Sequence, residues 1–515
     1  MTFGLMTGTV RGAEIAPGGT RVTIDPAGCL SIADAKFGVW FRAAGASGFA
    51  VTTAKDESIT IARKAGRPAR LEADVRWGQN ALLCRLAAPA GVSVAQFSSG
   101  PAANLAANSL FDVQSDRSVS IEGANASLSP IGGGKYRLKV DLRDKASFTL
   151  RFHADYYKNT RGIKYYRPLD HSTFPVPISG WSSWYYYEFG FGEDDLAQIT
   201  DWIASNLKQY GCEYVQIDSC FLGWDEPWTA WTYRSQWPHG GKWAADYIHS
   251  KGLKAGLWLT PYSTREKKLA SEHPDWFIHK DGKTIPTFVG DYTIDCTNPD
   301  VIEHWLKPLY RTLALDWGYD FFKHDGQPDV MYWYRRCDFS NKDADPAEAY
   351  RIGQQAIRDV VGKNRFILSC WGTTPEGFGI INGTRTGDDS GIKWDGIQKV
   401  HKATRDWVYV NNIVTYTDPD VVLVKDPLTL DQARYWASLV SLTGQITLAA
   451  GDLHAMPQER IDILKRVFPV CSIYPCDLYR LTDAQMKTID VKFARPFGSW
   501  DVVGLFNSSP QEETR

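Results

Sequence analysis

The most informative stretch of the chain is Phe321-Phe-Lys-His-Asp325. In a strand, period-2 alternation sends Lys323 and Asp325 to one face and His324 to the other. A buried carboxylate must be paired or neutralised, and a neighbouring ammonium keeps it ionised, as a nucleophile requires. A purely structural Lys–Asp pair at a strand end would read the same way over so few residues. His324, on the opposite face, reads as a packed exterior histidine rather than a metal ligand. A second acidic stretch, Gly383-Thr-Arg-Thr-Gly-Asp-Asp-Ser390, follows later in the chain. Two carboxylates facing each other across one mouth are the apparatus of glycoside hydrolysis. One protonates the leaving oxygen and the other attacks the anomeric carbon, about 5 Å apart when configuration is retained. An Asp-Asp pair alone is a weak signal, since Asp194-Asp195 recurs at a helix start.

Such residues need elements that bring them together. After Pro175-Val-Pro177 the sequence alternates buried strands with amphipathic helices, which implies a parallel sheet with helical crossovers. The strands expected are Ile178–Trp184, Tyr214–Asp218, Lys254–Leu259, Asp320–Asp325, Arg365–Cys370, Thr384–Asp388, Asn412–Thr417 and Gln445–Ala450. Eight is the number that closes a (β/α)8 TIM barrel, an α/β fold. Helical patterns span Asp194–Tyr210, Gly241–Lys251, Ile302–Leu315, Pro346–Val361 and Leu430–Leu442. In a barrel, catalytic groups come from the C-terminal strand ends, where the loops converge. The residues there are Trp181, Trp184, Asp218, Trp258, Lys323, Asp325, Cys370, Trp371, Arg385, Asp388, Asp389, Asp418, Asp420 and Asp452.

Residues 1–172 have a different texture, with short alternating runs such as Thr20–Ile24, Phe37–Phe41, Lys135–Val140 and Ser147–Phe152. They read as an N-terminal β-sandwich, with a turn at Gly132-Gly-Gly134 and no concentration of acid or base residues. Residues 173–468 form the expected barrel. Residues 469–515 read as the start of a C-terminal β domain, and the abrupt end suggests that this domain is truncated.

Bulk properties exclude several classes of function. A chain of 515 residues exceeds what one core usually serves. With 57 basic and 59 acidic residues, it offers no field that would attract nucleic acid or an anionic membrane. A neutral partner fits better, and 20 Trp and 24 Tyr are natural platforms for sugar rings as well as for core packing. The nine cysteines are too irregular for a disulfide scaffold or a paired zinc motif, although Cys212 with Cys220, or Cys471 with Cys476, could pair. The N-terminus has no basic segment followed by an apolar core, and no apolar run reaches the ~18 residues of a membrane span. A soluble chain is expected, cytoplasmic or exported after loss of a signal peptide. Its oligomeric state is left open.

Several motifs then occur in a telling order. Gly180-Trp-Ser-Ser-Trp-Tyr-Tyr-Tyr187 is followed by Pro238-His-Gly-Gly-Lys-Trp-Ala-Ala-Asp-Tyr-Ile-His-Ser-Lys-Gly-Leu-Lys254, Gly256-Leu-Trp258, Phe322-Lys-His-Asp325, Leu368-Ser-Cys370 and Asp418-Pro-Asp420. From about Gly180 to Asp452 the chain resembles glycoside hydrolase families 36 and 27 (clan D), the α-galactosidases and α-N-acetylgalactosaminidases. The resemblance implies a retaining hydrolase of a terminal α-linked sugar, with an oligosaccharide or glycoconjugate substrate and neither cofactor nor metal. It makes Asp325 the nucleophile. The acid/base stands four residues after an Arg, so Arg385 selects Asp389, with Asp388 as the alternative. Carried over on the same basis, Trp181, Trp184, Asp218, Trp258, Lys323, Cys370, Trp371, Arg385, Gly387 and Asp388 line the sugar pocket.

One departure concerns the substrate. Where the families carry two consecutive Asp after the second strand, this chain has Asp218-Ser219. A charge-assisted bond to a hydroxyl contributes about 1.5–3 kcal/mol, so Ser219 should alter which ring is accepted, unless Asp225 or Glu226 substitutes. The alternatives are a glycosidase or transglycosidase acting on N-acetylgalactosamine, glucose or arabinopyranose, or a catalytically silent sugar-binding protein. A metal-dependent barrel hydrolase fits poorly, because the ten His lie away from most strand ends.

Overall fold

A computed structural model gives the three-dimensional structure of the chain. It describes residues 13–14, 20–24, 29–34, 38–43, 49–55, 58–63, 70–75, 81–84, 109–112, 116–132, 135–153, 155–219, 234–287, 290–475, 486–495 and 497–509. Gly133 and Gly134 of the expected turn, Asp225, Glu226, Cys220 and Cys476 lie outside the described residues. Cys212 and Cys471 are free thiols, and the cysteine considered as a partner for each lies outside the described residues. The chain divides into two compact units, Met1–Lys164 with Pro475–Val502, and Tyr165–Tyr474 with Val503–Arg515.

The first unit contains two antiparallel sheets, of seven and six strands. Thr20–Ile24, Gly38–Ala43, Lys135–Asp141 and Ser147–His153 are among their strands. Leu138 and Val140 are buried while Lys139 between them is exposed, so this strand gives one face to a core and the other to water, as a sandwich strand does. Near the C-terminus Thr488–Arg495 and Gly498–Leu505 pair as a two-stranded sheet.

The second unit is built on parallel strands: β1 Ser179–Ser182, β2 Tyr214–Ile217, β3 Lys254–Leu259, β4 Phe321–His324, β5 Phe366–Ser369, β6 Gly383–Arg385, β7 in two halves, Tyr416–Asp418 and Val421–Leu423, and β8 Thr447–Ala450. Each pairs in parallel with the next, from β1 through to the first half of β7. The second half of β7 pairs with β8, and β8 pairs with β1. Ile446 N also donates to Thr417 O at 2.9 Å, joining the first half of β7 to the start of β8. The ring is therefore closed and has eight members. The break in β7 falls at Pro419-Asp420, with Asp420 at φ 80°. The sequence places this strand at Asn412–Thr417; it starts four residues later, because Val408–Val410 is a 3-10 turn and residues 411–415 close a further turn.

The foot of the barrel is filled rather than open. Tyr214, Phe321, Phe366 and Tyr416, from β2, β4, β5 and β7, contact one another in series at centroid separations of 6.1, 5.8 and 6.2 Å. Glycines make room for them: a Cβ on Gly256 would lie 2.7 Å from the Phe321 ring, and one on Gly383 2.9 Å from the Phe366 ring. This alternation of large and absent side chains packs the interior. Glu193–Asn206, Gly240–Ser250, Pro346–Val361 and Leu430–Thr443 supply crossover helices where they are expected, and a continuous helical run covers 299–316. Gln327–Tyr334, Trp394–Trp407 and Gln458–Val467 are further helices.

Candidate active site

At the top of β4 the alternation works as the sequence requires. His324 faces outward, fully buried, with a ring nitrogen 2.6 Å from the Tyr310 hydroxyl. Burial, with the nearby Arg358 charge, pushes it down to about 3, so it stays neutral. Lys323 and Asp325 turn the other way, into the mouth. Lys323 Nζ donates to Asp218 Oδ2 at 2.9 Å, an ion pair buried on both sides. Burial pulls this ammonium down, but Asp218, aided by Asp325, outweighs it and holds the group above its ordinary value. Asp218 is in turn fixed by Gln216 Nε2 at 3.1 Å and by the Ser219 amide at 2.9 Å. The Asp325 carboxylate accepts from Trp258 Nε1 and from Gly326 N, each at 2.9 Å. Both its oxygens thus meet N–H donors, which fix the orientation of the carboxylate.

The other side of the mouth is built around one arginine. Arg385, at the end of β6 and only 1% exposed, donates from Nε to Asp418 Oδ2 at 2.9 Å and from Nη1 to Asp389 Oδ1 at 3.2 Å, and its Nη2 forms an ion pair with Asp420 Oδ1 at 2.9 Å. One guanidinium therefore serves three carboxylates. Asp418 and Asp420 are each 1% exposed and have further donors. Asp418 Oδ1 accepts from Asp420 N at 2.9 Å, and Asp420 Oδ2 accepts from Ser390 N at 2.8 Å and from the Tyr185 hydroxyl. Asp389 has the longest contact with Arg385, and about half of its side chain is exposed. Lost solvation raises its carboxyl, Arg385 and Lys323 oppose this, and Asp420 and Asp325 add to it; the balance lies above the ordinary aspartate range. Burial also raises Asp418, but both its oxygens are bonded. Asp389 is thus the member of the cluster that combines a raised proton affinity with access to solvent.

Asp388 points elsewhere. Its Oδ1 accepts from Trp371 Nε1 at 2.6 Å and from the Asp389 amide at 2.8 Å. Trp371 sits at φ 75°, a conformation that costs a non-glycine residue about 1–3 kcal/mol. Cys370 is fully buried beneath, and burial raises its thiol well above the usual range, so it is a neutral neighbour. Gly387 lies where a Cβ would come within 2.7 Å of Ala403 Cβ. Trp184 is half-buried and packs edge-on to Phe189 at 5.1 Å. Trp181 is placed differently from a pocket-lining residue: it is fully buried, its indole N–H goes to Gly451 O at 3.0 Å, and Tyr187 and Phe191 pack against it. It supports the mouth from behind. Tyr185 is the residue that the sequence reading leaves out, although it stands inside the aromatic run after β1. Among the described residues no group of three or more His, Cys, Asp or Glu could hold a metal, and no helix is long and apolar enough to cross a membrane.

This arrangement has counterparts. A family model described as Melibiase matches residues 146–369, which includes Asp218, Lys323 and Asp325 and stops before Asp389. The chain is 28% identical over 304 residues to a probable alpha-galactosidase of Dictyostelium discoideum, covering 58% of this chain and 67% of that protein. It is 25% identical over 296 residues to alpha-galactosidase 2 of Arabidopsis thaliana, covering 56% and 64%. The chain thus spans about two thirds of the length of these relatives. Among solved structures, TtGalA, an alpha-galactosidase from Thermus thermophilus in complex with stachyose, aligns with a TM-score of 0.51 at 20% identity, over 81% of this chain and 99% of that one.

Proposed function

We propose that the chain is a member of the α-galactosidase superfamily of glycoside hydrolases and that it cleaves a terminal α-linked sugar from an oligosaccharide or glycoconjugate with retention of configuration, a reading supported by the Melibiase match and the alpha-galactosidase relatives. Asp325 is the nucleophile and Asp389 the acid/base. The observation that carries this reading is the unequal treatment of two carboxylates at one mouth: Asp325 takes two N–H donors, while Asp389 keeps a single long contact and a raised pKa.

In the first step an Asp325 oxygen attacks C1 as the bond from C1 to the glycosidic oxygen breaks, and Asp389 delivers its proton to that oxygen. In the second, Asp389, now ionised, takes a proton from water as the water oxygen attacks C1 and Asp325 leaves. Lys323 and Asp218 hold sugar hydroxyls, and Trp258 orients Asp325 while offering its ring face. A sugar hydroxyl in place of water would make the same residues a transglycosidase.

Galactose is the first sugar to test, because the named relatives are α-galactosidases. Ser219 favours a second reading within the same chemistry. It presents only a hydroxyl where a second carboxylate is usual, and its amide is already committed to Asp218. A panel of aryl α-glycosides of galactose, N-acetylgalactosamine, glucose and arabinopyranose tests both readings. Turnover of the galactoside alone supports the first; a preference for another ring, at comparable kcat, supports the second; no turnover of any activated glycoside removes the enzymatic reading.

A further inference from the structure

The Arg385 cluster contains more machinery than an acid/base needs to be held in place. Asp420 reaches it where β7 is broken after Asp418: the chain kinks at φ 80° before β7 resumes in the same direction, and both aspartates of Asp418-Pro-Asp420 meet one guanidinium. Asp420 is 1% exposed, and its carboxylate is fully engaged: Oδ2 accepts from Ser390 N and the Tyr185 hydroxyl, and Oδ1 forms an ion pair with Arg385 Nη2. Tyr185 comes from the loop after β1, on the far side of the ring closure, and its oxygen also accepts from Gly391 N at 3.3 Å. Its main-chain carbonyl is pinned by Lys425 Nζ at 2.9 Å. Burial, with Asp420 and Asp389 nearby, keeps the phenol protonated, so it acts as a donor.

We infer that Asp420, anchored by Tyr185, is a positioning residue that sets the protonation of Asp389 by taking a share of Arg385 away from it. The inference rests on the proposed acid/base role of Asp389. Three carboxylates compete for the N–H groups of a single cation, and geometry decides the loser: two have short bonds and extra donors, and Asp389 has neither. The groups facing Asp389 are Arg385 and Asp388 from its own segment, Asp420 from β7, Lys323 and Asp325 from β4, and Tyr185 from the β1 loop. Of these, Asp420 is a fixed negative charge bound to the same guanidinium.

The sign of each change follows. Asp420→Asn removes a negative charge and frees Arg385 for Asp389, so Asp389 holds its proton less tightly. Tyr185→Phe removes a donor and leaves the Asp420 carboxylate less compensated, so Asp389 holds its proton more tightly. The test is the pH dependence of kcat/KM on an aryl α-glycoside with a poor leaving group. The alkaline limb should move down by about one pH unit in Asp420→Asn and up by a smaller amount in Tyr185→Phe. An activated aryl glycoside, which needs little protonation, should lose far less rate in either variant. A purely structural role predicts lower thermal stability with the limb unmoved, or the same shift in both variants, and either result overturns the inference. If Asp420→Asn does not fold, Tyr185→Phe decides alone. Asp389→Ala, assayed alongside, separates the two claims: if it does not spare the activated substrate, the acid/base reading itself fails.

Discussion

The two sides of the barrel mouth treat charge in opposite ways. On the β2–β4 side, one lysine and two carboxylates share a tight network in which both Asp325 oxygens meet N–H donors and Asp218 takes the ammonium. On the β6–β7 side, one arginine is divided among three carboxylates and leaves Asp389 underserved. The first arrangement holds a negative charge ready, and the second holds a proton ready. Retaining glycoside hydrolysis needs one of each at the same pH, and the difference is made by counting donors rather than by different residue types.

Removing the carboxylates breaks the comparison most sharply. Asp325→Ala should lose turnover by on the order of 10⁴-fold or more with the fold intact, since nothing else on that side can form the covalent bond. Added azide should restore some turnover and give a β-configured glycosyl azide, visible by NMR. Asp389→Ala should lose about 10²- to 10⁴-fold on natural substrates and much less on activated aryl glycosides. If Asp388→Ala shows that leaving-group pattern instead, the acid/base moves by one residue.

Removing the cations tests the same contrast through stability. Lys323→Met removes the buried ammonium that pairs with Asp218, at a cost of about 3–5 kcal/mol. Arg385→Met strands Asp418 and Asp420 together and should cost more, both read as thermal unfolding. In Arg385→Met the Asp418 carboxyl, already raised by burial, loses the cation that opposes that rise, so its folded pKa lies above its unfolded one. Its stability is therefore kept at low pH and lost as the pH rises through the folded value, so this variant should gain on the wild type as the pH falls from 7.5 to 4.5. The smallest effect is expected for Trp371→Phe, which deletes one donor to Asp388: about 1 kcal/mol, or up to roughly tenfold in kcat/KM. A larger loss would mean that Asp388 shares in the proton transfer.

The two sides also differed in how plainly the sequence announced them. Lys323 and Asp325 sit two residues apart in one strand, so alternation alone sends them inward together, and the eight strands follow from the same local rule. The Arg385 cluster joins Asp389, Asp418, Asp420 and Tyr185, the last 235 positions from Asp420, and only barrel closure makes them neighbours. Spacing from Arg385 could select Asp389, but nothing local shows that the strand would kink at positive φ and bring Asp420 to the same guanidinium. Trp181 illustrates the reverse: an aromatic residue at a strand end looks like a sugar platform until its indole N–H is found bonded to Gly451. The helix Trp394–Trp407 escaped notice because its buried face is Ile397, Val400, His401 and Thr404, half of it polar. Ser219 stays the most consequential single letter for substrate choice.

The most direct test of the account is to trap the covalent intermediate. Incubation with an activated 5-fluoro-α-galactosyl fluoride, followed by proteolysis and mass spectrometry, should place one fluorosugar per chain on the peptide carrying Asp325. Stoichiometric label on the peptide carrying Asp388 and Asp389, or an enzyme that turns over galactosides yet never labels Asp325, would contradict it.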